Sequence, residues 1–336
     1  MNAVNDGAVP MAEAWRGGIL ESTHSGHAVI CDETGQIVES WGKPAAIIFP
    51  RSSCKMLQAL PLLESGAADA AGLTMRQLAL SCASHEGAAI HTDAVTRWLA
   101  DRGLSEGDLR CGSHEPLDRT ERNRLIEAHE KPCQLHNNCS GKHAGFLTLN
   151  QHLGAGSEYV ELDHPVQKAV KAAFEETTDE TSPGYGIDGC SAPNFATSVH
   201  GLARSMARFA AARDTGDLRQ KAMHRLAHAM ATYPEMVAGE GRACTELMRA
   251  MGGKVAIKTG AEAVFIAIIP ERKMGIALKI TDGGTRGSEA AIAGLLVKLG
   301  VLEADHPATR KRLNMVQKNW RGFETGTVTL APGFAA

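Results

Sequence analysis

The sequence predicts an α+β protein: an antiparallel sheet flanked by helices, built from both ends of the chain, and a helical lobe made from its middle. Three observations carry this. Short β-like stretches separated by turn residues open the chain, and apolar residues at three and four spacing run through the long middle. Apolar strands then return near residue 252, followed by one last helix. Such an order lets the two ends share one sheet while the insert forms a second lobe. The expected organisation is a single domain over 1–336, with 16–50 and 252–336 as the sheet lobe and 51–251 as the mainly helical lobe.

Taken in order, Gly18 to Ser22, His27 to Cys31 and Gln36 to Trp41 read as strands, the last two joined by a turn at Asp32-Glu33-Thr34-Gly35. From Ser52 the texture becomes helical, with Met56, Leu57 and Leu60 on one face, until Pro61 interrupts it. Thr92 to Arg102 carries Val95, Trp98 and Leu99 and stops at Gly103. Asp163 reads as an N-cap with Pro165 in the first turn and Val166, Val170, Ala173 and Phe174 as the buried stripe. Ala196 to Arg213 is expected to bury Val199, Leu202, Met206 and Phe209. Leu218 to Ala231 is expected to bury Leu218, Ala222, Met223, Leu226 and Met230. Lys254 to Lys258, Val264 to Ile269 and Met274 to Thr281 are strands, the latter two joined by a turn at Pro270-Glu271-Arg272-Lys273. Gly287 to Leu299 is apolar almost all round, so it is expected to pack on the sheet.

The chain has 336 residues, 43% hydrophobic and 22% charged, which is ordinary for a globular protein with a large core. A net charge of -3 and the absence of basic runs argue against nucleic-acid or anionic-membrane partners. Met1 to Trp15 has no basic start followed by an apolar stretch, and no segment reaches the roughly 18 apolar residues that span a bilayer, so a cytoplasmic protein is expected. The eight cysteines are scattered. In a reducing compartment they are expected to be mostly buried thiols, a few of them available to a metal.

Chemistry concentrates in a few places. Ser52 and Lys55 stand three residues apart after Pro50-Arg51, and Lys258-Thr259-Gly260 follows about two hundred residues later. On a helix that spacing brings an amine to a hydroxyl, and an amine whose pKa is lowered can act as base for a serine nucleophile. The combination is that of class A β-lactamases and penicillin-binding proteins. The alternative is that Ser52 only caps a helix. Ser40 and Lys43 share the spacing, but Gly42 and Pro44 oppose a helix there.

Ser84 in Ser81-Cys82-Ala83-Ser84-His85-Glu86-Gly87 offers a second hydroxyl, with His85 or Glu86 as acid or base, or the cluster merely starts a helix. The segment from His136 to His143 is dense in polar groups. Cys139 with His143 suits zinc, with Cys133, Cys190 or His136 as remote partners, although zinc-finger spacing is absent. Gly184 to Pro193 lacks a phosphate-loop lysine, and its Asp188 suits a substrate amine. Arg16-Gly17-Gly18, Glu21-Ser22 and Asp282-Gly283-Gly284 read as turns or surface ion pairs.

As a set, Glu21 to Gly26, Pro50 to Lys55, Ala83 to Gly87, Asn138 to His143, Asp188 to Cys190 and Lys258 to Glu262 resemble the L-asparaginase II family of the zinc-associated rhizobial type. The resemblance implies a serine β-lactamase-like fold, a homodimer, and hydrolysis of L-asparagine to aspartate and ammonia. It implies two catalytic pairs, Ser52 with Lys55 and Ser84 with Lys258, and zinc held by Cys139, Lys142 and Cys190, which displaces His143 from the ligand set. Arg51, Asp188, Glu21 and His85 are the residues expected to hold the substrate. Ala263 departs from the pattern, since glycine is expected after Glu262. Two other readings remain open: another acyl hydrolase on this fold, such as a glutaminase, β-lactamase or esterase, and a zinc-bearing protein that binds an amino acid without turnover.

Overall fold

Among the described residues eight strands form one sheet in the order Met315–Lys318, Glu324–Leu330, Val9–Arg16, Ile19–Cys31, Met274–Ile280, Val264–Ile269, Ala256–Gly260, with Ile37–Trp41 also paired to Ile19–Cys31. Every pairing is antiparallel. The structure, a computed structural model, describes residues 5–336. Residues 1–4, which begin the Met1 to Trp15 stretch, lie outside the described residues.

The fold is α+β, and the chain divides into two compact units. The first holds the described residues up to Ser53, with Thr197–Ala211 and Glu246–Ala336; the second holds Cys54–Ala196 and Ala212–Thr245.

In the sheet unit, Ile19–Cys31 is the long central strand. Its first part pairs with Val9–Arg16 and its last part with Ile37–Trp41, while Met274–Ile280 runs along the opposite edge. The three short stretches expected near the start are therefore two strands, and Asp32 to Gly35 turns between them with Gly35 N–H donating to Asp32 O at 2.9 Å. Val264–Ile269 is buried at every residue. The helices Val199–Ala211 and Thr285–Lys298 pack against these strands, the latter as its apolar circumference predicts. Lys258 lies on Ala256–Gly260, the last strand in the sheet order.

The helical unit contains Lys55–Gln58, Leu60–Glu64, Met75–Ser81, Ala89–Asp101, Ser140–Leu153, Pro165–Thr178 and Leu218–Thr232 among its helices. Pro61 sits in the first turn of the second of these, where its missing N–H costs nothing. Two local expectations are corrected. The cap of Pro165–Thr178 is His164, whose ring nitrogen accepts the Val166 N–H at 3.1 Å, and not Asp163. Leu218 is 69% exposed, because the first turn of its helix lies outside the packed stripe that buries Ala222, Met223, Leu226 and Met230. Tyr185–Ile187 and Pro193–Phe195 form a two-stranded ribbon whose connecting loop carries Asp188 and Cys190.

Candidate active site

The sheet unit supplies the turn that carries Ser52. Arg51 adopts a left-handed backbone, φ 53°, and opens a 3-10 turn, Arg51–Cys54, that runs into Lys55–Gln58. Ser53 fixes this turn by donating both its N–H (3.1 Å) and its hydroxyl (2.7 Å) to Pro50 O. Cys54, not Ser52, is the residue at the helix cap, so Ser52 is not spent on capping. Gly260 explains the glycine of Lys258-Thr259-Gly260: a Cβ there would lie 2.6 Å from Pro50 O and 3.0 Å from Ser53 N. The strand end rests directly on the serine turn, which only glycine permits. Lys258 is buried, and its Nζ donates to Thr259 O at 2.6 Å. Just beyond, Glu262 (φ 58°) and Ala263 (φ 54°) are consecutive left-handed residues, which explains why glycine is the residue expected at 263.

In the helical unit, buried Lys55 gathers three partners. Its Nζ donates to Ser84 Oγ at 3.1 Å, to Cys139 Sγ at 3.1 Å and to the Ala83 carbonyl. An ammonium has three hydrogens, so this satisfies it. Ser84 is itself held by its N–H, which donates to Val237 O at 2.9 Å. The lysine that follows Ser52 thus reaches the second serine.

Cys139 precedes the helix Ser140–Leu153, and its N–H donates to Asn137 Oδ1 at 2.9 Å; Asn137 in turn donates to the Cys111 and Gly112 carbonyls, each at 2.9 Å. Gly141 lets this helix meet Met75–Ser81 closely, since a Cβ would stand 2.4 Å from Leu80 O. Lys142, 3% exposed, donates to Cys190 Sγ at 3.1 Å. Burial works against its charge, but the Cys190 and Cys139 sulfurs outweigh burial and raise its pKa. The bond from Cys139, with the Lys142 ammonium beside it, holds Cys190 well below the usual thiol range, while that bond and burial push Cys139 well above it.

Among the described residues no group of three or more His, Cys, Asp or Glu is placed to hold a metal. A metal here needs the lysine as third donor. The Cys190 sulfur and the Lys142 amine, 3.1 Å apart, with Cys139 three residues before that lysine, are donors that suit zinc, provided Lys142 loses its proton.

The remaining expected residues fall in different settings. Asp188 is half-buried, and its charge reaches Lys142. Its backbone closes the Cys190 loop, with N–H donating to Ala192 O at 3.0 Å and carbonyl accepting from Ser191 N–H at 2.9 Å. His85 is fully buried. Gly87 N–H donates to its Nδ1 at 3.2 Å, so Nε2 carries the proton and donates to Ser140 Oγ at 2.9 Å, which donates on to Leu135 O at 2.9 Å. The ring stacks on His91 at 4.8 Å, and burial, then His91, holds it well below the usual imidazole range. It braces the first residue of the Ser140–Leu153 helix. Glu21 is exposed and ion-paired to Arg16 at 2.9 Å. Sequence reasoning missed Tyr159, which meets His143 Nδ1 at 2.9 Å. It lies outside any helix or strand, and no motif marks it.

A family model described as L-asparaginase II matches residues 12–330. No curated protein matches the chain. Solved structures with partial likeness include a β-lactamase from Mycobacterium bovis, at 12% identity over 82% of this chain and 95% of that one, TM-score 0.44. Mglu in its tris and glutamate form gives 12% identity over 84% and 60%, TM-score 0.47. The octameric penicillin-binding protein homologue from Pyrococcus abyssi gives 12% over 86% and 75%, TM-score 0.37.

Proposed function

The chain belongs to the L-asparaginase II family, a family of hydrolases, and from that premise we propose that it hydrolyses the side-chain amide of L-asparagine to L-aspartate and ammonia. Ser52 Oγ attacks the carboxamide carbon, giving its proton to Lys55, which serves as base in its neutral amine form. The C–N bond breaks as Ser84 protonates the leaving ammonia, and Lys258 restores the Ser84 proton. Water then attacks the aspartyl ester, giving a proton to Lys258, and Lys55 returns a proton to Ser52 Oγ as aspartate leaves. The observation that supports this reading is the 3.1 Å bond from Lys55 Nζ to Ser84 Oγ, in which the lysine three residues after Ser52 meets the second serine. Arg51 and Asp188 grip the α-carboxylate and α-amine. Cys139, Lys142 and Cys190 hold zinc, which supplies a fixed positive charge that orders the substrate end of the site. No helix among the described residues is long and apolar enough to cross a membrane. The reading takes the protein as a cytoplasmic homodimer acting on a small molecule.

Purified protein given L-asparagine should release ammonia, and Ser52→Ala should abolish that release. Lys55→Ala should lower kcat by about 10²–10⁴-fold, the usual worth of a general base. An unchanged rate in Ser52→Ala would remove Ser52 as nucleophile, and nitrocefin turnover matching that of asparagine would favour a β-lactamase.

A further inference from the structure

Four lysines are buried among the described residues, and three of them, Lys55, Lys142 and Lys258, already have a place in the proposed chemistry. The fourth, Lys279, stands on Met274–Ile280, between Ile19–Cys31 and Val264–Ile269 in the sheet. Burial lowers its pKa, with the Glu262 and Asp282 carboxylates acting in the opposite sense. A buried ammonium is tolerated only where its hydrogens find acceptors.

The sheet register shows where Lys279 points. Val264 is opposite Gly260 on one side and Lys279 on the other, so the three form one row across the strands. Ala277, two residues before Lys279, lies in the next row with Ile266 and Lys258. Side chains in one row share a face and alternate along each strand, so Lys279 is on the same face as Lys258. Its Nζ donates to the Glu262 carbonyl, in the turn that joins the Lys258 strand to Val264–Ile269, and to the Ile280 carbonyl at 2.6 Å.

That turn is strained. Glu262 and Ala263 are both left-handed, a conformation that a residue with a Cβ keeps only where its surroundings impose it. At the near end of the turn, Gly260 lies against Pro50 O and Ser53 N, the two atoms whose hydrogen bond closes the turn that carries Ser52. If the turn relaxed, Gly260 would move off this contact.

We infer that Lys279 is a positioning residue for the reaction: its amine clamps the Glu262 carbonyl, keeps the turn in its left-handed form, and so holds Gly260 against the turn that presents Ser52. It acts through the backbone. The inference rests on the reading of Ser52 as nucleophile.

The test compares four forms of the full chain: wild type, Lys279→Met, Ala263→Gly and the double variant. The kcat for L-asparagine is taken per active serine titrated with a fluorophosphonate, so that a smaller folded fraction does not count as a slower enzyme. Lys279→Met keeps an unbranched stem and loses the donor. It should lower kcat about 10–100-fold with KM unchanged, and should speed amide exchange across Gly260–Val264. Ala263→Gly alone should leave kcat as in wild type. Glycine takes the left-handed form without strain, so in the double variant it should return most of the lost kcat. Lost packing around Lys279 would not be returned by removing a methyl from the turn. An unchanged kcat in Lys279→Met overturns the inference, as does a loss confined to KM or one that Ala263→Gly does not return. Should Lys279→Met not fold, Lys279→Gln, whose amide is one bond too short to reach, carries the same comparison. Ammonia release retained in Ser52→Ala would remove the nucleophile reading, while the exchange rates still judge the clamp.

Discussion

Two stretches of the molecule, one in each unit, bury side chains of opposite chemistry. In the sheet unit Val264–Ile269 is apolar and buried throughout, and along Met274–Ile280 Lys279 is the one charged side chain. In the helical unit the first four residues of Ser140–Leu153 bury a hydroxyl, an amine and an imidazole, and Lys55, His85 and His91 are buried as well. An apolar interior needs only volume and shape, so small changes there cost little. A buried polar cluster is stable only when each member has its partner, and removing one leaves the others exposed to a medium that cannot solvate them.

That contrast can be broken directly. Lys142→Met keeps an unbranched apolar stem but takes the ammonium away from the Cys190 sulfur, and should cost about 3–5 kcal/mol in denaturant unfolding. Ile266→Val in the sheet should cost about 0.5–1.5 kcal/mol. Equal losses would end the distinction between the two interiors.

A smaller effect lies at the end of the Lys258 strand. Ala263 is buried in a left-handed conformation, so Ala263→Gly should raise stability by up to about 1 kcal/mol, the relief of the Cβ strain less the extra freedom glycine gives the unfolded chain. A lower melting temperature would show that the Ala263 methyl contributes more by packing than it loses by strain.

The smallest effect concerns Glu121. The hydrogen bond from Arg124 holds its pKa below the ordinary carboxylate value despite burial, and His136 adds to this. The contribution is therefore present above the ordinary carboxylate range and is lost as pH falls through the lowered value. Because Arg124 is half exposed, Glu121→Gln should flatten the acid limb of stability by less than about 1 kcal/mol. A steeper acid limb in the variant would contradict this sign.

Legibility in the sequence follows the same division. Val264–Ile269 and Met274–Ile280 were readable because continuous β-branched and apolar runs bounded by a turn have few other uses. Val9–Arg16 was not, because its inward side chains include the small Ala12 and Ala14 and it contains Pro10, so neither propensity nor alternation marks it. Met315–Lys318 and Glu324–Leu330 were missed for related reasons: the first is only four residues long, polar residues dominate the second, and pairing with Val9–Arg16 makes the second a strand. In the helical unit the motifs located Ser84, Cys139, Lys142 and Cys190 along the chain, but spacing could not say which atoms meet. Lys55 reaching Cys139, 84 residues away, is a consequence of tertiary packing. Tyr159 Oη is held by the Arg110 backbone N–H at 2.7 Å, a main-chain donor that no side-chain pattern can announce.

The bracing of His85 has a consequence for how this unit responds to acidity. His85 spends both ring nitrogens on internal bonds, and burial holds His143 down to about 4. Two of the imidazoles nearest the sulfur-amine cluster therefore act as neutral spacers. Both stay mostly neutral near neutral pH, so the field around Lys55 and Lys142 changes little with the charge state of either ring where histidine ordinarily buffers.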